Sequence, residues 1–174
     1  MTIQSFFVHT DSFELLRELI VERLNTADDS PGLQPHWGLE SAYDAFIVGD
    51  PKRKVGICRP ENGWIAGIES KEVVDFALLQ RIHNVLKSDV VVVQLSEITG
   101  SCGHVVLSNG RIVAARFDED SADPLADARA TIRSFGIPFD VMTFREVAQD
   151  RSRRWELIQK NCNGSGDRQW TSVK

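Results

Sequence analysis

Two Asn-Gly pairs, each placed between runs of apolar residues, constrain the fold of this chain more than any other feature. The clearer pair, at residues 109–110, separates GHVVLS from RIVAARF. Asn and Gly both tolerate the positive φ angles of a two-residue turn, so these runs are predicted to be the strands of a hairpin, with His104 opposite Ala115. The second pair, at residues 62–63 between KVGICR and WIAGIES, predicts another hairpin of the same kind.

Segments with helical periodicity follow the strands. Apolar residues recur three and four positions apart over residues 13–24 and 71–87, which predicts two helices. A third helix is predicted from Pro124, which follows Asp123 at the first helical position, up to Gly136, which ends it. In the second helix His83 falls on the polar side, where a solvated imidazole is expected. The run VVVVQLS (residues 90–96) is too apolar to alternate, and it predicts a strand that is covered on both faces or lies centrally in the sheet. The predicted fold class is α+β, with helices packed on a largely antiparallel sheet in two layers.

The C-terminal part of the sequence predicts one more helix and a tail. Thr143 and Glu146 form a capping box, and Trp155 and Ile158 continue the apolar stripe of the helix that it opens. Residues 161–174 are polar and contain glycine, so they are predicted to be a loose tail. The 174-residue chain has the length of one domain, which is predicted to span residues 1–160.

The two hairpins also match each other at an offset of 47 residues. GICRPENGWI and GHVVLSNGRI share the first glycine, the Asn-Gly turn and the following isoleucine. Each is preceded by a short apolar run and followed by a predicted helix. A duplicated βββα unit would produce this pattern. Common turn chemistry would produce it equally well, and the sequence leaves the two interpretations open.

Charge and composition limit the classes of partner. The formal net charge is −5, so the chain lacks the excess of basic residues with which proteins neutralise phosphates, and no nucleic-acid partner is expected. No apolar run approaches the roughly 20 residues of a membrane helix, and the N-terminus carries no secretory signal. We therefore expect a cytoplasmic protein without a membrane partner. Its three cysteines, an odd and scattered set, do not predict a disulfide framework.

Cys102 and His104 are the clearest candidates for a reactive pair. Side chains alternate along a strand, so both project from the same face with their Cβ atoms about 6.5–7 Å apart. A thiolate nucleophile needs a nearby base and a group that orients the base, and Glu97 is a candidate for the second role. The pattern thus permits a small cysteine-dependent hydrolase or acyl-transfer enzyme. Ordinary packing of two strand residues accounts for it as well.

Other motifs that bind cofactors, metals or partners are sparse. The remaining cysteines and histidines are not spaced as metal ligands, and no glycine-rich phosphate loop follows a strand, so neither a metal nor a cofactor is expected. Exposed aromatic and arginine side chains are typical anchors of protein interfaces. On this basis the candidate binding residues are His36, Trp37, Arg151, Arg153 and Arg154.

The favoured hypothesis is a non-enzymatic cytoplasmic domain that binds another protein, because the sequence combines a well-specified fold with no assembled catalytic constellation. An acidic inhibitor or immunity-type protein, which neutralises a basic toxin through complementary charge, is one form of this hypothesis. The alternatives are the cysteine-dependent enzyme and a small-molecule sensor with a pocket between sheet and helices. The partner's identity and the oligomeric state are left open.

Overall fold

The predicted α+β fold, with helices on an antiparallel sheet, is confirmed. The computed structural model describes residues 2–26, 54–69, 75–96, 98–118 and 121–159. The elements, in chain order, are β1 (Thr2–His9), α1 (Phe13–Thr26), β2 (Lys54–Cys58), β3 (Trp64–Glu69), α2 (Phe76–Leu86), β4 (Val90–Ser96), β5 (Ser101–Ser108), β6 (Arg111–Asp118), α3 (Pro124–Ser134), α4 (Phe144–Gln149) and β7 (Trp155–Gln159). The predicted tail at residues 161–174 lies outside the described residues.

Within the described ranges, seven strands form one sheet in the order β6-β5-β4-β1-β3-β2-β7. All neighbouring strands are antiparallel. β1 and β4 lie side by side in the middle, and the four valines of β4 are all buried. A strand that is covered on both faces can be apolar at every position, which confirms the prediction of a central strand for VVVVQLS.

Helices cover both faces of this sheet. α1 and α2 pack on one face, which we call the α1–α2 face, against a core that includes Phe6, Val8 and Val92. α3 packs on the opposite face, the α3 face, over Phe7 and Val93. The two-layer arrangement expected from the sequence is therefore corrected to three layers. Periodicity shows that a helix has an apolar stripe, but it does not show which face of the sheet receives that stripe.

Both Asn-Gly turns form as predicted, but the second hairpin contains a β-bulge. The two asparagines have φ angles of 51°, and Gly63 and Gly110 have φ angles of 76° and 78°. Along β6 the register shifts by one residue at Val113, so His104 faces Arg116. The expected pairing with Ala115 is wrong by that residue. Turn chemistry determines the register beside the turn, whereas a bulge further along the strand has no signal in this sequence.

A duplicated βββα unit is not supported by the strand connections. In the second hairpin, β5 pairs with the preceding strand β4, whereas the corresponding place beside β2 is occupied by β7. The helices that follow the two hairpins, α2 and α3, also lie on opposite faces of the sheet. The apolar run at residues 46–48 is outside the described part of the chain. Shared turn chemistry accounts for the sequence match.

The last predicted helix is much shorter than expected. Its capping box is present, with Thr143 and Glu146 bonded reciprocally, but α4 ends at Gln149. Asp150 then accepts hydrogen bonds from Ser152 and from the indole of Trp155, and the chain turns into β7. The predicted helical position of Trp155 is therefore wrong. Two apolar residues three apart fit a helix, but this segment pairs with β2 as an antiparallel neighbour, and the pairing holds it in a strand.

His83 ties α2 to the second hairpin and is buried, with 4% of its surface exposed. Its Nε2 accepts a 2.7 Å hydrogen bond from the Gly110 N–H, so Nδ1 carries the proton and donates to the Ser88 carbonyl at 2.6 Å. The prediction of a solvated imidazole is wrong. The polar side of this helix meets a turn that is distant in sequence, and that turn supplies polar partners in place of water.

Candidate functional site

β5 places Cys102 and His104 two residues apart on the α3 face, as the alternation of side chains predicts. Cys102 is 7% exposed and belongs to the same core cluster as Ala128 of α3. His104 is half-buried. Burial and, after it, the charge of Arg116 lower the pKa of His104, which favours the neutral imidazole. Glu97 lies outside the described residues, so the proposed catalytic trio remains a prediction.

Cys58 is a second buried thiol. It lies at the end of β2, on the α3 face of the sheet. Burial raises the pKa of Cys58 to about 11, although the nearby Arg153 acts in the opposite direction. A thiol with such a pKa is almost entirely protonated at neutral pH and reacts slowly. Within the described residues, neither Cys58 nor Cys102 forms a disulfide.

The predicted interface arginines have different environments. Arg153 is held by contacts within the chain: its Nε donates to Glu61 at 3.0 Å and its guanidinium lies 5.3 Å from the centroid of Phe139. The hydrogen bond to Glu61 raises the pKa of Arg153. Arg151 and Arg154 are exposed and stay candidates. The other two candidates, His36 and Trp37, lie outside the described residues.

A groove that the sequence analysis missed lies at one end of the α3 face. We call it the His9 groove, and its volume is about 400 Å³. Four of its residues, which carry polar groups or an indole, are His9, Trp64, Asp89 and Ser108. The other four are apolar, namely Val91, Val106, Val113 and Phe135.

Strand register explains how the polar residues of the His9 groove meet. Val8 of β1 pairs with Val90 of β4, and Val90 pairs with Leu107 of β5. One residue further toward the same end of the sheet, His9, Asp89 and Ser108 therefore lie side by side in a row across these three strands. The His9 N–H donates to the Asp89 carbonyl at 3.0 Å. On the other side His9 pairs with Trp64, and the two ring centroids are 4.8 Å apart. The row therefore crosses four neighbouring strand positions on one face.

The polar side chains of this row are available for a ligand. Among the described residues, the side chains of His9, Asp89 and Ser108 make no hydrogen bond or ion pair. Six other acidic groups among the described residues are engaged with arginines, namely Glu14, Glu22, Glu61, Asp75, Asp140 and Glu156. Asp89 is exposed, and in the part of the chain that the structure describes its carboxylate has no ion pair with a cation.

The apolar half of the groove consists of a floor and a rim. Val91 and Val106, on β4 and β5, are buried and form the floor. Val113 and Phe135 are 48% and 38% exposed and form the rim. Val113 is the bulged residue of β6, and bulges commonly redirect a side chain in this way. Phe135 follows the last turn of α3, so the groove begins where the helix stops covering the sheet.

The arrangement suits a ligand that is apolar along its length and cationic at one end. A carboxylate, an imidazole and a hydroxyl stand together above an apolar floor, and the indole of Trp64 adds a π face. No group of three or more His, Cys, Asp or Glu side chains suited to a metal occurs in the part of the chain that the structure describes. Among the described helices, none has the length and apolar character to cross a lipid bilayer.

Sequence reasoning missed this site because its members are far apart in the chain. His9 ends β1, Asp89 precedes β4 and Ser108 ends β5, and each looks like an ordinary polar residue at the end of a strand. Only the pairing of the strands brings them together. Comparison of the chain with protein-family models, with curated proteins and with solved structures gives no match, so the assignment depends on the site itself.

Proposed function

We propose that this chain is a non-enzymatic binding domain whose His9 groove receives a lysine or arginine side chain of a basic partner protein. The observation that carries the proposal is Asp89. Its carboxylate is exposed in the groove and has no ion-pair partner among the described residues. A partner's ammonium or guanidinium would supply the charge-assisted hydrogen bonds that the carboxylate lacks.

The rest of the groove matches the chemistry of such a side chain. Lysine and arginine carry an apolar stem beneath a charged head, and they bury the stem while the head stays polar. Val91 and Val106 offer a floor for the stem, and Val113 and Phe135 offer a rim. Trp64 lies on the far side of His9, two strand positions from Asp89, so its indole extends the apolar surface of the groove and does not contact a cation at Asp89.

The charges of the protein also favour a basic partner whose cation lies beside Asp89. The net charge of −5 attracts a basic protein at long range. Within the row, Arg111 stands opposite Ser108 and is therefore two strands away from Asp89. Neighbouring strands are about 4.8 Å apart, so Arg111 is roughly 10 Å along the row. The charge of Arg111 repels a cation from the part of the row near Ser108 and favours a position nearer to Asp89 and His9.

The test is a titration followed by two-dimensional NMR of the backbone and indole N–H groups. The probes are the methylamides of Nα-acetyl-arginine and Nα-acetyl-norleucine, which share an apolar stem but differ in the cation. We expect the arginine probe to shift the signals of Trp64, Asp89 and Ser108 and the norleucine probe to bind at least about tenfold more weakly, a difference of about 1.4 kcal/mol.

Matched variants separate the groove from general electrostatics. Asp89→Asn should weaken binding of the arginine probe about tenfold or more, because the head group loses its ionic partner. Glu18→Gln removes the same charge from an exposed position on α1 and should leave binding unchanged. Equal binding of both probes, or an equal effect of the two variants, would refute the proposal.

The two alternatives from the sequence have weaker support. The cysteine-dependent enzyme would need α3 to move, because Cys102 lies in the core cluster that this helix covers. The small-molecule sensor would use the same groove, whose volume is within the usual range of ligand sites. It predicts that a free small amine binds at least as tightly as the arginine probe.

A further inference from the structure

We infer that β6 is a dimerisation edge, at which two copies of this chain pair as antiparallel strands and join their sheets. In the described sheet, β6 has one neighbour, β5, and is therefore an edge strand. It has eight residues, whereas β7 at the other edge has five. The outward backbone N–H and C=O groups of a long edge strand are a template for pairing with another strand.

Large apolar side chains are exposed along this edge. Ile112 is 53% exposed, Val113 is 48% exposed and Phe117 is 62% exposed. Phe117 is the most exposed large apolar residue among those described. Edge strands that stay solitary are usually short, charged or bulged; in β6 the bulge and two arginines still leave Ile112 and Phe117 exposed. Burial of these side chains against a second copy would remove apolar surface from water.

The bulge at Val113 puts Ile112 and Phe117 on the same face of the sheet. Ile112 pairs with Leu107, whose side chain is in the core of the α1–α2 face. Phe117 pairs with Gly103 and its ring lies over that glycine, where an added Cβ would be 2.7 Å from the ring. In a strand without a bulge, two residues five apart would point to opposite faces.

This placement makes β6 complementary to itself. If a two-fold axis passes through Ala115 and the bulged Val113 of each copy stays unpaired, Ile112 of each copy stands opposite Phe117 of the other. The same register sets Arg111 opposite Asp118. The two apolar pairs lie on the α1–α2 face, because Ile112 pairs with Leu107 and Phe117 pairs with Gly103 within one chain.

A second copy fits this edge because one strand supplies both halves of every pair, which a two-fold interface requires. Around the axis the ladder skips the bulged Val113 of each copy, Ala115 stands opposite Ala115, and Ala114 stands opposite Arg116 of the other copy. The competing register centred on Arg116 would bring two guanidinium groups together. Like charges directly opposite each other are unfavourable, so that register is disfavoured.

Sedimentation velocity of the full chain over roughly a hundredfold range of concentration tests the inference, because a dimer dissociates by mass action. We expect the mass to rise from one chain to two. Phe117→Lys and Ile112→Lys should each shift the dissociation midpoint to at least about tenfold higher concentration, because each change alters both symmetry-related apolar pairs of the dimer. Two positions are changed so that a folding defect in one variant does not decide the result.

Phe76→Lys is the matched control, because Phe76 is also a large apolar residue, 48% exposed, but lies on α2. It should leave the dimer unchanged. Arg111→Asp should weaken the dimer, and the double variant with Asp118→Arg should restore it. A chain that is monomeric at every concentration overturns the inference. So does a dimer that Phe76→Lys weakens as much as Phe117→Lys. Asp89→Asn should not affect assembly, so this result is separate from the proposed binding function.

Discussion

Replacement of His83 tests how α2 is attached to the second hairpin. His83→Phe keeps an aromatic ring at this position and removes both nitrogens, so the Ser88 carbonyl and the Gly110 N–H lose their partner. A buried polar group without a partner costs about 1–3 kcal/mol. Gly110 is exposed and Ser88 half-buried, so water replaces part of both bonds. The free energy of unfolding should therefore fall by about 1–2 kcal/mol in total.

His83→Ala should cost more, because it also removes a ring that is 4% exposed. Truncation of a buried aromatic side chain to alanine typically costs about 3–5 kcal/mol, including the cavity that remains. Imidazole is smaller than a phenyl ring, so about 3 kcal/mol is expected. The order of stability is thus wild type, then His83→Phe, then His83→Ala.

Urea unfolding followed by circular dichroism measures these differences. With a slope of about 2 kcal/mol per molar urea, the midpoint should fall by about 0.5–1 M for His83→Phe and by about 1.5 M for His83→Ala. Asn84→Ala is the control, since Asn84 is the next residue of α2 and is exposed. Its effect should stay within about 0.5 kcal/mol.

Hydrogen exchange gives a local measure of the same contact. The Gly110 amide should exchange faster in both His83 variants, whereas the Gly63 amide, in the equivalent turn of the first hairpin, should keep its wild-type rate. If His83→Phe unfolds at the same urea concentration as the wild type and the Gly110 amide keeps its protection, the two hydrogen bonds do not hold α2 to the hairpin.

Two further predictions concern titratable groups of the α3 face. Burial raises the pKa of Cys58 to about 11, so iodoacetamide at pH 8 should leave Cys58 unmodified in the folded protein and label it after unfolding; rapid labelling of the folded chain would contradict the burial. Burial and the charge of Arg116 lower the pKa of His104, so the unfolded chain binds a proton at His104 more tightly than the folded chain does. The free energy of unfolding should therefore fall as the pH drops below about 6.5. His104→Gln should make the loss of stability between pH 8 and pH 5 smaller, as measured by urea unfolding at both values; identical losses in variant and wild type would show that His104 does not contribute.

Much of the fold can be predicted from the local sequence. Asn109 and Gly110 adopt the positive φ angles that their chemistry allows, and the hairpin forms around them. The capping box of Thr143 opens α4 where the sequence places it. The all-valine run of β4 lies in the centre of the sheet because apolar residues at every position need cover on both faces.

Other parts depend on partners that are distant in the chain. Trp155 and Ile158 fit a helix and a strand alike, and β2 selects the strand by pairing with them. The side of the sheet that receives α3 depends on how the chain crosses after β6. The bulge at Val113, which changes the partner of His104, leaves no mark in the pattern of apolar and polar residues.

The sequence by itself thus determined the turns, the helix stripes and the strands other than β7, because these depend on backbone preferences and on the period of neighbouring side chains. Tertiary structure alone decided the His9 groove and the self-complementary edge. His9, Asp89 and Ser108 become neighbours only when β1, β4 and β5 pair, and Ile112 and Phe117 share a face only because of the bulge. Sites made by register between distant strands follow from the packing of the whole chain, which no local pattern encodes.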